Sequence, residues 1–338
     1  MKIFLTGASG FAGAHMLKYL MENTPTHVTC PVTYTHGGHP DRINSIVPQS
    51  FSERYTTARI DLARSGDLDE VDFSEFDLVI NYASESHVDR SISNPRSFAT
   101  NNSDLMINLL EKIRQFPSLP FVHLSTDEVY GSIPVGQSNY EYERIHRPSN
   151  PYSASKSAQE SLLIAYYKTY KLPIAIVNST NMLGEAQNRE KFIPKAIYKI
   201  SNGESINVDT DNDGKIGTRK YLDVNDVARA IWKISLALID KNVPTQDMDL
   251  PFKLHISGTE EISNLEVIQI IAKEMNKVPV TEISPSPRPG YDLRYELSSK
   301  FSKEIDWEPQ ESSRERIAEI CQWTLAHPNW MHNDHSMN

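Results

Sequence analysis

Residues 2–13 of this 338-residue chain read KIFLTGASGFAG. An apolar strand is predicted to lead through glycines spaced G-x-x-G-x-x-G into a helix. Gly7 permits the tight turn, Gly10 lets the backbone approach a pyrophosphate, and Gly13 lets helix and strand pack closely, while free helix N–H groups face the anion. An ordinary strand–helix turn fits the glycines alone. Their place at the start of a βαβ unit favours a dinucleotide site.

Outward from this stretch, short apolar segments alternate with helical ones. The predicted strands are Lys2–Thr6, His27–Val32, Arg59–Leu62, Phe76–Ala83, Phe121–Ser125 and Pro173–Asn178, and the predicted helices are Ala14–Glu22, Ser103–Gln115, 152–171 and Asp226–Leu238. Such alternation implies a parallel sheet covered on both faces. We therefore predict an α/β fold, a Rossmann-type doubly wound parallel sheet with a smaller C-terminal α/β substrate lobe.

The chain length corresponds to roughly two domains. After about residue 184 the pattern changes to short elements interrupted by Pro- and Gly-rich stretches. The expected limits are 1–184 for an NAD(P)-binding Rossmann-type domain to which 219–240 returns, 185–330 for the substrate-binding lobe, and 331–338 for a flexible tail.

The composition excludes several classes of protein. The net charge of −10 makes non-specific nucleic-acid binding a poor hypothesis. Two cysteines, Cys30 and Cys321, exclude a disulfide scaffold and a multi-cysteine zinc site, and they fit a reducing cytosol. Neither a signal peptide nor an 18-residue apolar run is found. We expect a cytoplasmic protein without metal, nucleic-acid or membrane partners.

The second predicted strand lacks the acid that usually binds the adenosine ribose of NAD. Cys30 and Pro31 stand at its end instead, and Arg42 follows. The missing acid weakens the case for NAD as the cofactor. NADP becomes an alternative, because an arginine can accommodate a 2′-phosphate. Asp61, after the third strand, fits an acceptor for the adenine amino group and fits a strand-end cap equally well.

Two segments after the middle strands carry chemistry. Residues 125–131 read STDEVYG directly after an apolar strand. Of the adjacent carboxyls of Asp127 and Glu128, one can act as an acid and the other as a base if one is protonated and one ionised. The alternative is that both are solvated acids in a turn. Tyr152 and Lys156 share one helix face, where the ammonium would lower the Tyr152 pKa. A surface pair is the alternative there.

These motifs resemble the extended short-chain dehydrogenase/reductase family, and within it the dTDP-glucose 4,6-dehydratases, with UDP-glucose 4,6-dehydratases a close second. The resemblance covers nearly the whole chain, and the Thr-Asp-Glu triplet is its most specific piece. Its carriers are TGASGFAG (6–13), ASESHVDRSI (83–92), STDEVYG (125–131), PYSASK (151–156), NSTNMLG (178–184), EKFIPKAI (190–197), RKYLDVNDVARAI (219–231) and RPGYDLRYEL (288–297).

The resemblance implies a redox-neutral dehydration of a nucleoside-diphosphate glucose with retained NAD, NADP staying open. Tyr152 takes the 4-OH proton as hydride leaves C4, Lys156 tunes Tyr152, and Thr126 hydrogen-bonds the C4 oxygen. Glu128 then removes the C5 proton and Asp127 protonates the departing 6-OH. Hydride returns to C6, which gives a 4-keto-6-deoxy sugar.

The resemblance also implies the binding residues. For the cofactor they are Gly7, Gly10, Phe11, Gly13, Asp61, Leu62, Tyr82, Ala83, Tyr152 and Lys156. For the substrate they are Ser86, His87, Asn181, Lys191, Arg219, Arg288 and Tyr291, with the two arginines clamping the diphosphate; surface salt bridging is the alternative for these arginines. A homodimer is expected through a four-helix interface that includes 152–171, although its apolar positions Leu162, Leu163, Tyr166 and Tyr170 could equally be core.

The sequence departs from the family at four places. Cys30 stands where the family has its ribose acid, Asp104 where it has a glycine, and Tyr291 where it has a histidine. The loop 205–219 is longer and lacks the tyrosine that packs on the nucleotide base. UDP-glucose therefore competes with dTDP-glucose. A 4-epimerase, a decarboxylase and a non-catalytic dinucleotide sensor are the alternative functions.

The same loop resembles the first half of a calcium loop. Asp209, Asp211, Asp213 and Gly214 fit D-x-D-x-D-G, but Lys220 occupies the twelfth position, where a bidentate glutamate is required. We interpret the segment as a hairpin turn.

Overall fold

The computed structural model describes residues 1–35, 37–244 and 249–332. Its strands are β1 Lys2–Thr6, β2 His27–Val32, β3 Tyr55–Arg59, β4 Leu78–Asn81, β5 Phe121–Thr126, β6 Ile174–Ser179, β7 Asn181–Leu183, β8 Ile206–Thr210, β9 Thr218–Asp223, β10 Phe252–Ile256, β11 Glu261–Ser263 and β12 Thr281–Pro285. Its helices are α1 Phe11–Asn23, α2 Arg42–Ile46, α3 Val88–Ser93, α4 Pro95–Ile113, α5 Pro151–Tyr170, α6 Phe192–Asn202, α7 Val224–Ile239, α8 Asn264–Glu274, α9 Ser313–Ala326 and α10 Asn329–His332.

Seven strands form one parallel sheet in the order β10-β6-β5-β4-β1-β2-β3. The order reverses beside β1, so the sheet is doubly wound, as in Rossmann-type folds. A three-stranded sheet, β11-β9-β7, and a two-stranded sheet, β12-β8, belong to the second half of the chain. The predicted α/β fold class is confirmed.

The apolar strands are explained by burial on both faces of the large sheet. Ile3 and Leu5 belong to the apolar cluster under α1 and α7, which includes Ile231. Phe4 points to the other face, where it packs with Leu109 of α4 and the inner side of α5. Alternate side chains of one strand thus enter two different cores, and an uninterrupted apolar run results.

Two strands of the large sheet differ from expectation. The third strand is Tyr55–Arg59, not Arg59–Leu62, because Asp61 closes a turn in which its carboxylate accepts from Ala63 N at 3.0 Å. This edge strand is polar and largely exposed, so it lacks an apolar signal. The seventh strand, β10, was not predicted; it pairs with β6 and brings Phe252–Ile256 into the large sheet.

The smaller sheets carry a third apolar cluster. Helices α6, α8 and α9 pack there against β7, β8 and β9. Helix α7 instead packs against α1 and the large sheet. The domain limits stay a prediction. The expected tail, 331–338, begins inside α10, and its residues 333–338 lie outside the described residues.

No helix in the described ranges combines the length and the apolar character needed to cross a lipid bilayer.

A buried ion pair joins the centre of the sheet to α5. The fully buried Glu160 carboxylate accepts from Ser125 Oγ at 2.5 Å, from Asn178 Nδ2 at 2.7 Å and from Lys253 Nζ at 2.7 Å. Burial by itself would raise the Glu160 pKa, but Lys253 and the nearby His146 outweigh it and hold that pKa at about 2. The carboxylate thereby fastens β5, β6 and β10 to one helix.

Lys253→Met is expected to lower the free energy of unfolding by about 3–5 kcal/mol, because it leaves a buried carboxylate without its cation. Lys233→Met is the matched control: Lys233 pairs at 2.7 Å with Asp306, which is exposed, and little change is expected. Urea denaturation measures both. The double variant Lys253→Met/Glu160→Gln should recover part of the loss, and equal losses for the two single lysine variants would contradict the interpretation.

Candidate active site

A cavity of about 930 Å³ lies at the carboxyl ends of the parallel strands. Open α/β sheets bind their ligands at this edge. Every predicted site residue lines the cavity: Gly7, Gly10, Phe11, Gly13, Asp61, Leu62, Tyr82, Ala83, Ser86, His87, Thr126, Asp127, Glu128, Tyr152, Lys156, Asn181, Lys191, Arg219, Arg288 and Tyr291. The fold thus brings the separate motifs to one place.

The glycine loop forms one end of the cavity. Gly7 has φ +73°, and a Cβ there would come within 2.8 Å of Ala83 N. A Cβ on Gly13 would collide with the Gly7 carbonyl. Helix α1 begins at Phe11 without a side-chain cap on its first N–H groups. A bare backbone cradle at an uncapped helix N-terminus fits the pyrophosphate of a dinucleotide such as NAD.

The end of β2 offers hydroxyl groups to this part of the cavity. Pro31, Thr33 and Thr35 line it, whereas Cys30 is fully buried in the sheet. Asp61 lines it too, while its carboxylate caps the following turn. The cap interpretation is therefore confirmed, and the contact of Asp61 with an adenine stays a prediction.

Arg42 does not occupy the position that the NADP alternative requires. Its guanidinium is fully buried and donates to the carbonyls of Ser9, Gly37 and Ala186, and to Asn188 Oδ1. Burial lowers its pKa to about 10. The expectation that Arg42 could meet a 2′-phosphate is wrong, because these oxygens already hold the guanidinium inside the protein.

The Thr-Asp-Glu triplet sits where β5 ends. Thr126 caps a short 3-10 turn over Asp127–Tyr130: its Oγ1 accepts from Glu128 N at 3.3 Å and lies 3.1 Å from Asp127 Oδ1. Asp127 is buried, and its Oδ2 has no hydrogen-bond partner among the described residues. One carboxyl oxygen is therefore left to act on a bound molecule.

The two carboxyls of the triplet have unlike surroundings. Burial, followed by the Glu128 charge, raises the pKa of Asp127 to about 7. Burial also raises the Glu128 pKa, but a hydrogen bond from Asn150 Nδ2 at 3.3 Å and the charge of Arg219 oppose the rise. Near neutral pH the pair can hold one proton on Asp127, which suits Asp127 as an acid and Glu128 as a base.

Tyr152 and Lys156 lie on the inward face of α5. A capping box on Asn150 starts the helix, and Tyr152 N donates to Ser91 Oγ at 3.1 Å, which fixes the first turn. Burial raises the Tyr152 pKa, with the Glu128 charge next. This is the opposite of the expected lowering. Lys156 Nζ donates to Leu124 O at 2.9 Å. Burial lowers the Lys156 pKa to about 7, so the side chain is only partly protonated near neutral pH.

Arg219 lies beside the carboxyl pair. Three of its N–H groups donate to the carbonyls of Thr218, Asp292 and Leu293, and its guanidinium lies 4.7 Å from the Tyr295 ring centroid. This anchoring fixes a positive charge in the cavity wall.

The other predicted substrate residues also line the cavity. Arg288 Nε donates to Asp89 Oδ1 at 2.7 Å. Lys191 Nζ donates to Ser86 O at 2.9 Å, and His87 Nε2 lies 3.4 Å from Glu190 Oε2. Asn181 Oδ1 is buried without a partner among the described residues. Tyr291 donates to Asp209 O at 3.2 Å. Asp104, by contrast, is exposed on α4 away from the cavity.

The aspartate-rich loop is a turn. The Asp211 carboxylate accepts from Asp213 N at 2.9 Å and Lys215 N at 2.8 Å, and Gly214 has φ +79°. Thr210 and Ile216 pair across it in antiparallel fashion. The hairpin interpretation is confirmed. No cluster of metal-binding side chains occurs among the residues that the structure describes.

Comparisons with known proteins agree with this geometry. Residues 3–244 match the model of the NAD dependent epimerase/dehydratase family. The chain belongs to this family. It is 31% identical to a dTDP-glucose 4,6-dehydratase of Shigella flexneri, with 98% of this chain and 95% of that protein aligned. It is 30% identical to one from Neisseria meningitidis serogroup B over the same shares.

Solved structures of the family share the fold. A dTDP-glucose 4,6-dehydratase from Streptomyces venezuelae, solved with NAD bound, has 28% identity and a TM-score of 0.85, with 98% of both chains covered. A UDP-glucose 4-epimerase of Thermus thermophilus, also with NAD, has 26% identity and a TM-score of 0.79 over 96% of this chain and 98% of that one. Resemblance to the extended short-chain dehydrogenase/reductases is thus confirmed.

Sequence reasoning missed several residues of the site. Asn150 holds Glu128, and its signal was available, since Asn-Pro before a helix is a typical N-cap pattern. Tyr295, within RPGYDLRYEL (288–297), supports the Arg219 guanidinium with its ring. Lys195, within EKFIPKAI (190–197), and Asn207 also line the cavity, although neither was assigned to the site.

Asp127→Asn is expected to stabilise the free protein at alkaline pH. The folded carboxyl keeps its proton up to about pH 7, whereas the unfolded one releases it near pH 3.8. Wild-type stability from this group is therefore present below that lower value and is lost as pH rises towards 7. Above pH 7 the variant should gain up to about 4 kcal/mol in unfolding free energy.

Urea denaturation across this pH range measures the difference. Glu70→Gln, at an exposed glutamate, is the control and should follow the wild type. A gain for Asp127→Asn that did not depend on pH would contradict the assigned ionisation.

Proposed function

We propose that this protein is a nucleoside-diphosphate-glucose 4,6-dehydratase, an NAD-dependent hydro-lyase. The observation that carries the proposal is the carboxyl pair: Asp127 and Glu128, in unlike surroundings, face one cavity with Tyr152. The product is the 4-keto-6-deoxyglucose nucleotide plus water. The names of the relatives favour dTDP-glucose as the substrate.

Gly7, Gly10 and Gly13 would hold NAD along the glycine loop, and the chemistry that NAD would supply there is reversible hydride transfer. The residues of the chain move the protons. Tyr152 removes the 4-OH proton, Thr126 hydrogen-bonds the C4 oxygen, and Lys156 contacts the cofactor ribose and Tyr152. Because burial raises the Tyr152 pKa, Tyr152 needs a nearby positive charge to act as a base near neutral pH.

The 4-keto group acidifies the C5 proton, and the remaining steps belong to the carboxyl pair. Glu128 removes that proton, since its charged form is favoured by Asn150 and Arg219. Asp127, protonated up to about pH 7, gives its proton to the departing 6-OH. One acid and one base on adjacent residues complete the elimination. When the hydrogen is added at C6, Glu128 returns its proton to C5, which completes the 4-keto-6-deoxy product.

The substrate diphosphate belongs to the half of the cavity lined by Arg219, Arg288 and Lys191. Arg219 is anchored and presents a fixed charge, whereas Arg288 must leave Asp89 to reach a phosphate. The nucleotide base then lies towards Asp209 and Tyr291. The family tyrosine is missing there, so UDP-glucose is the second substrate to test.

The alternatives explain less of the site. An epimerase or a decarboxylase has no leaving hydroxyl for Asp127 to protonate. A dinucleotide sensor has no need for Thr126, Asp127, Glu128, Tyr152 and Lys156 together.

We also infer a homodimer and a cytoplasmic enzyme. Leu163 is buried in the core, but Leu162 and Tyr166 are half-buried, and Ile107 and Tyr170 are exposed on α4 and α5. These positions suit a four-helix interface between two copies. Both cysteines are free and buried, which fits a reducing compartment.

Mass spectrometry tests the reaction directly. The protein is incubated with dTDP-glucose, UDP-glucose, GDP-mannose and UDP-glucuronate, each with NAD and with NADP. Loss of one water from a glucose nucleotide, dTDP-glucose first, in the presence of NAD is expected. Loss of CO2 from UDP-glucuronate would replace dehydration by decarboxylation. A product of unchanged mass that chromatography separates from the substrate would replace it by epimerisation.

Glu128→Gln is expected to stop solvent deuterium from entering C5, because the base is gone. Asp127→Asn is the matched variant: it keeps the base and should allow exchange at C5 while losing water release at C6. Proton NMR of nucleotide sugar recovered from heavy water measures both. Labelling at the wild-type rate in Glu128→Gln would assign the base to another residue.

A further inference from the structure

A fully buried arginine connects the glycine loop to the second half of the chain. Arg42 begins the short helix α2, and its side chain has no exposed surface. Its Nη1 donates to Ser9 O of the glycine loop at 2.6 Å and to Gly37 O of the loop after β2 at 2.7 Å. Both acceptor residues line the cavity, so the guanidinium holds this part of the cavity wall from inside the protein.

The other N–H groups of the guanidinium bind the joining segment, residues 184–191 between β7 and α6. Arg42 Nε donates to Ala186 O at 3.0 Å, and Nη2 donates to Asn188 Oδ1 at 2.6 Å. Ala186 has φ +56°, a conformation that residues with a side chain rarely adopt, and the bond to its carbonyl lies at this bend. One side chain thus fastens the joining segment to the glycine loop.

The surroundings of Arg42 suit a charged guanidinium. Burial lowers the Arg42 pKa to about 10, which leaves the group protonated at neutral pH, and the charge of Glu190 in the joining segment opposes the lowering. The Trp330 ring of α10 lies 5.0 Å from the guanidinium carbon, a contact that favours a weakly hydrated cation. A planar group with five N–H donors can bind all four oxygens together, which a lysine ammonium with three donors cannot.

The joining segment ends at a cation of the cavity wall. Lys191 N donates to Asn188 O at 3.0 Å, so residues 188–191 form a closed turn, and Lys191 is also the N-cap residue of α6. Lys191 lines the cavity, where its Nζ donates to Ser86 O. The Lys191 charge lowers the pKa of Glu128. The place of this turn therefore sets how close the ammonium stands to the carboxyl pair.

We propose that Arg42 is a positioning residue for Lys191: through Asn188 it holds the turn that presents the Lys191 ammonium to the diphosphate of the substrate. Because Arg42 is fully buried, it acts through the joining segment and not by contact with a bound molecule. The role in substrate binding rests on the proposed function, whereas the link between Arg42 and the turn does not.

Two matched variants break or keep the link. Asn188→Leu removes one acceptor and leaves Arg42 its three carbonyls, so the variant is expected to fold. Its KM for the glucose nucleotide should rise on the order of tenfold, the worth of one charged hydrogen bond, with little change in kcat. Asn188→Asp keeps an acceptor oxygen in the same place, and its charge is offset by Arg42. Its KM should stay within about twofold of the wild type.

The pH profile separates positioning from a general loss of structure. In Asn188→Leu the acid limb of kcat/KM, where Glu128 becomes ionised, should move to higher pH, because a displaced Lys191 lowers the Glu128 pKa less. In the Lys191→Met background, Asn188→Leu should add nothing to KM, since the residue through which it acts is already gone. An unmoved limb, or a full tenfold effect in that background, would overturn the proposal.

Hydrogen exchange tests the link without any substrate. Mass spectrometry of the full-length protein follows deuterium uptake in peptides that cover 186–195 and the glycine loop. Asn188→Leu should exchange faster in the first peptide, where Lys191 N donates to Asn188 O, and Asn188→Asp should not. The glycine loop should be unchanged in both. Unchanged uptake over 186–195 in Asn188→Leu would overturn the link, whereas faster uptake there in a wild type that dehydrates no glucose nucleotide would support the link and refute the proposed function.

Discussion

The site depends on one buried carboxylate, Glu160. It lies one helical turn beyond Lys156 and accepts from Ser125, the residue before the Thr-Asp-Glu triplet. The strand with the proton-transfer groups and the helix with Tyr152 and Lys156 are thereby held to each other. An ion pair with Lys253 of the edge strand β10 keeps this carboxylate charged inside the protein.

Burial then sets the chemistry of the cavity. The same desolvation raises the pKa values of Asp127, Glu128 and Tyr152 and lowers that of Lys156. Burial therefore disfavours the charged forms of these four side chains. A nearby charge changes their pKa values strongly, because little water is present to screen it. The Arg219 charge lowers the pKa of both carboxyls, whereas Asn150 Nδ2 donates to Glu128 and favours the charged form of that residue. The neighbouring residues Arg219 and Asn150 thus influence the ionisation of Asp127 and Glu128.

Much of the fold follows from local patterns. Apolar strands with helices between them predicted the parallel sheet, because burial on both faces leaves an uninterrupted apolar run. The two strands that were misplaced or missed, Tyr55–Arg59 and Phe252–Ile256, are the two edges of the sheet. Tyr55–Arg59 is polar and largely exposed, whereas Phe252–Ile256 is buried but has Lys253 and His255 between its apolar residues, so neither gives an uninterrupted apolar run. The glycine loop and the Thr-Asp-Glu triplet follow strand ends, whereas the predicted substrate residues came from the family resemblance.

The sequence by itself determined which groups meet: glycines at a strand–helix turn, a Thr-Asp-Glu triplet after a strand, and Tyr152 with Lys156 on one helix face. Tertiary structure alone decided how these groups behave. Burial raises the Tyr152 pKa, whereas the spacing of Tyr152 and Lys156 predicted a lower pKa. The Arg42 guanidinium donates to carbonyls inside the protein and does not reach the cofactor site. Residue spacing fixes neighbours along one element, whereas burial and hydrogen-bond partners come from distant parts of the chain. Ionisation depends on those, and only the folded protein supplies them.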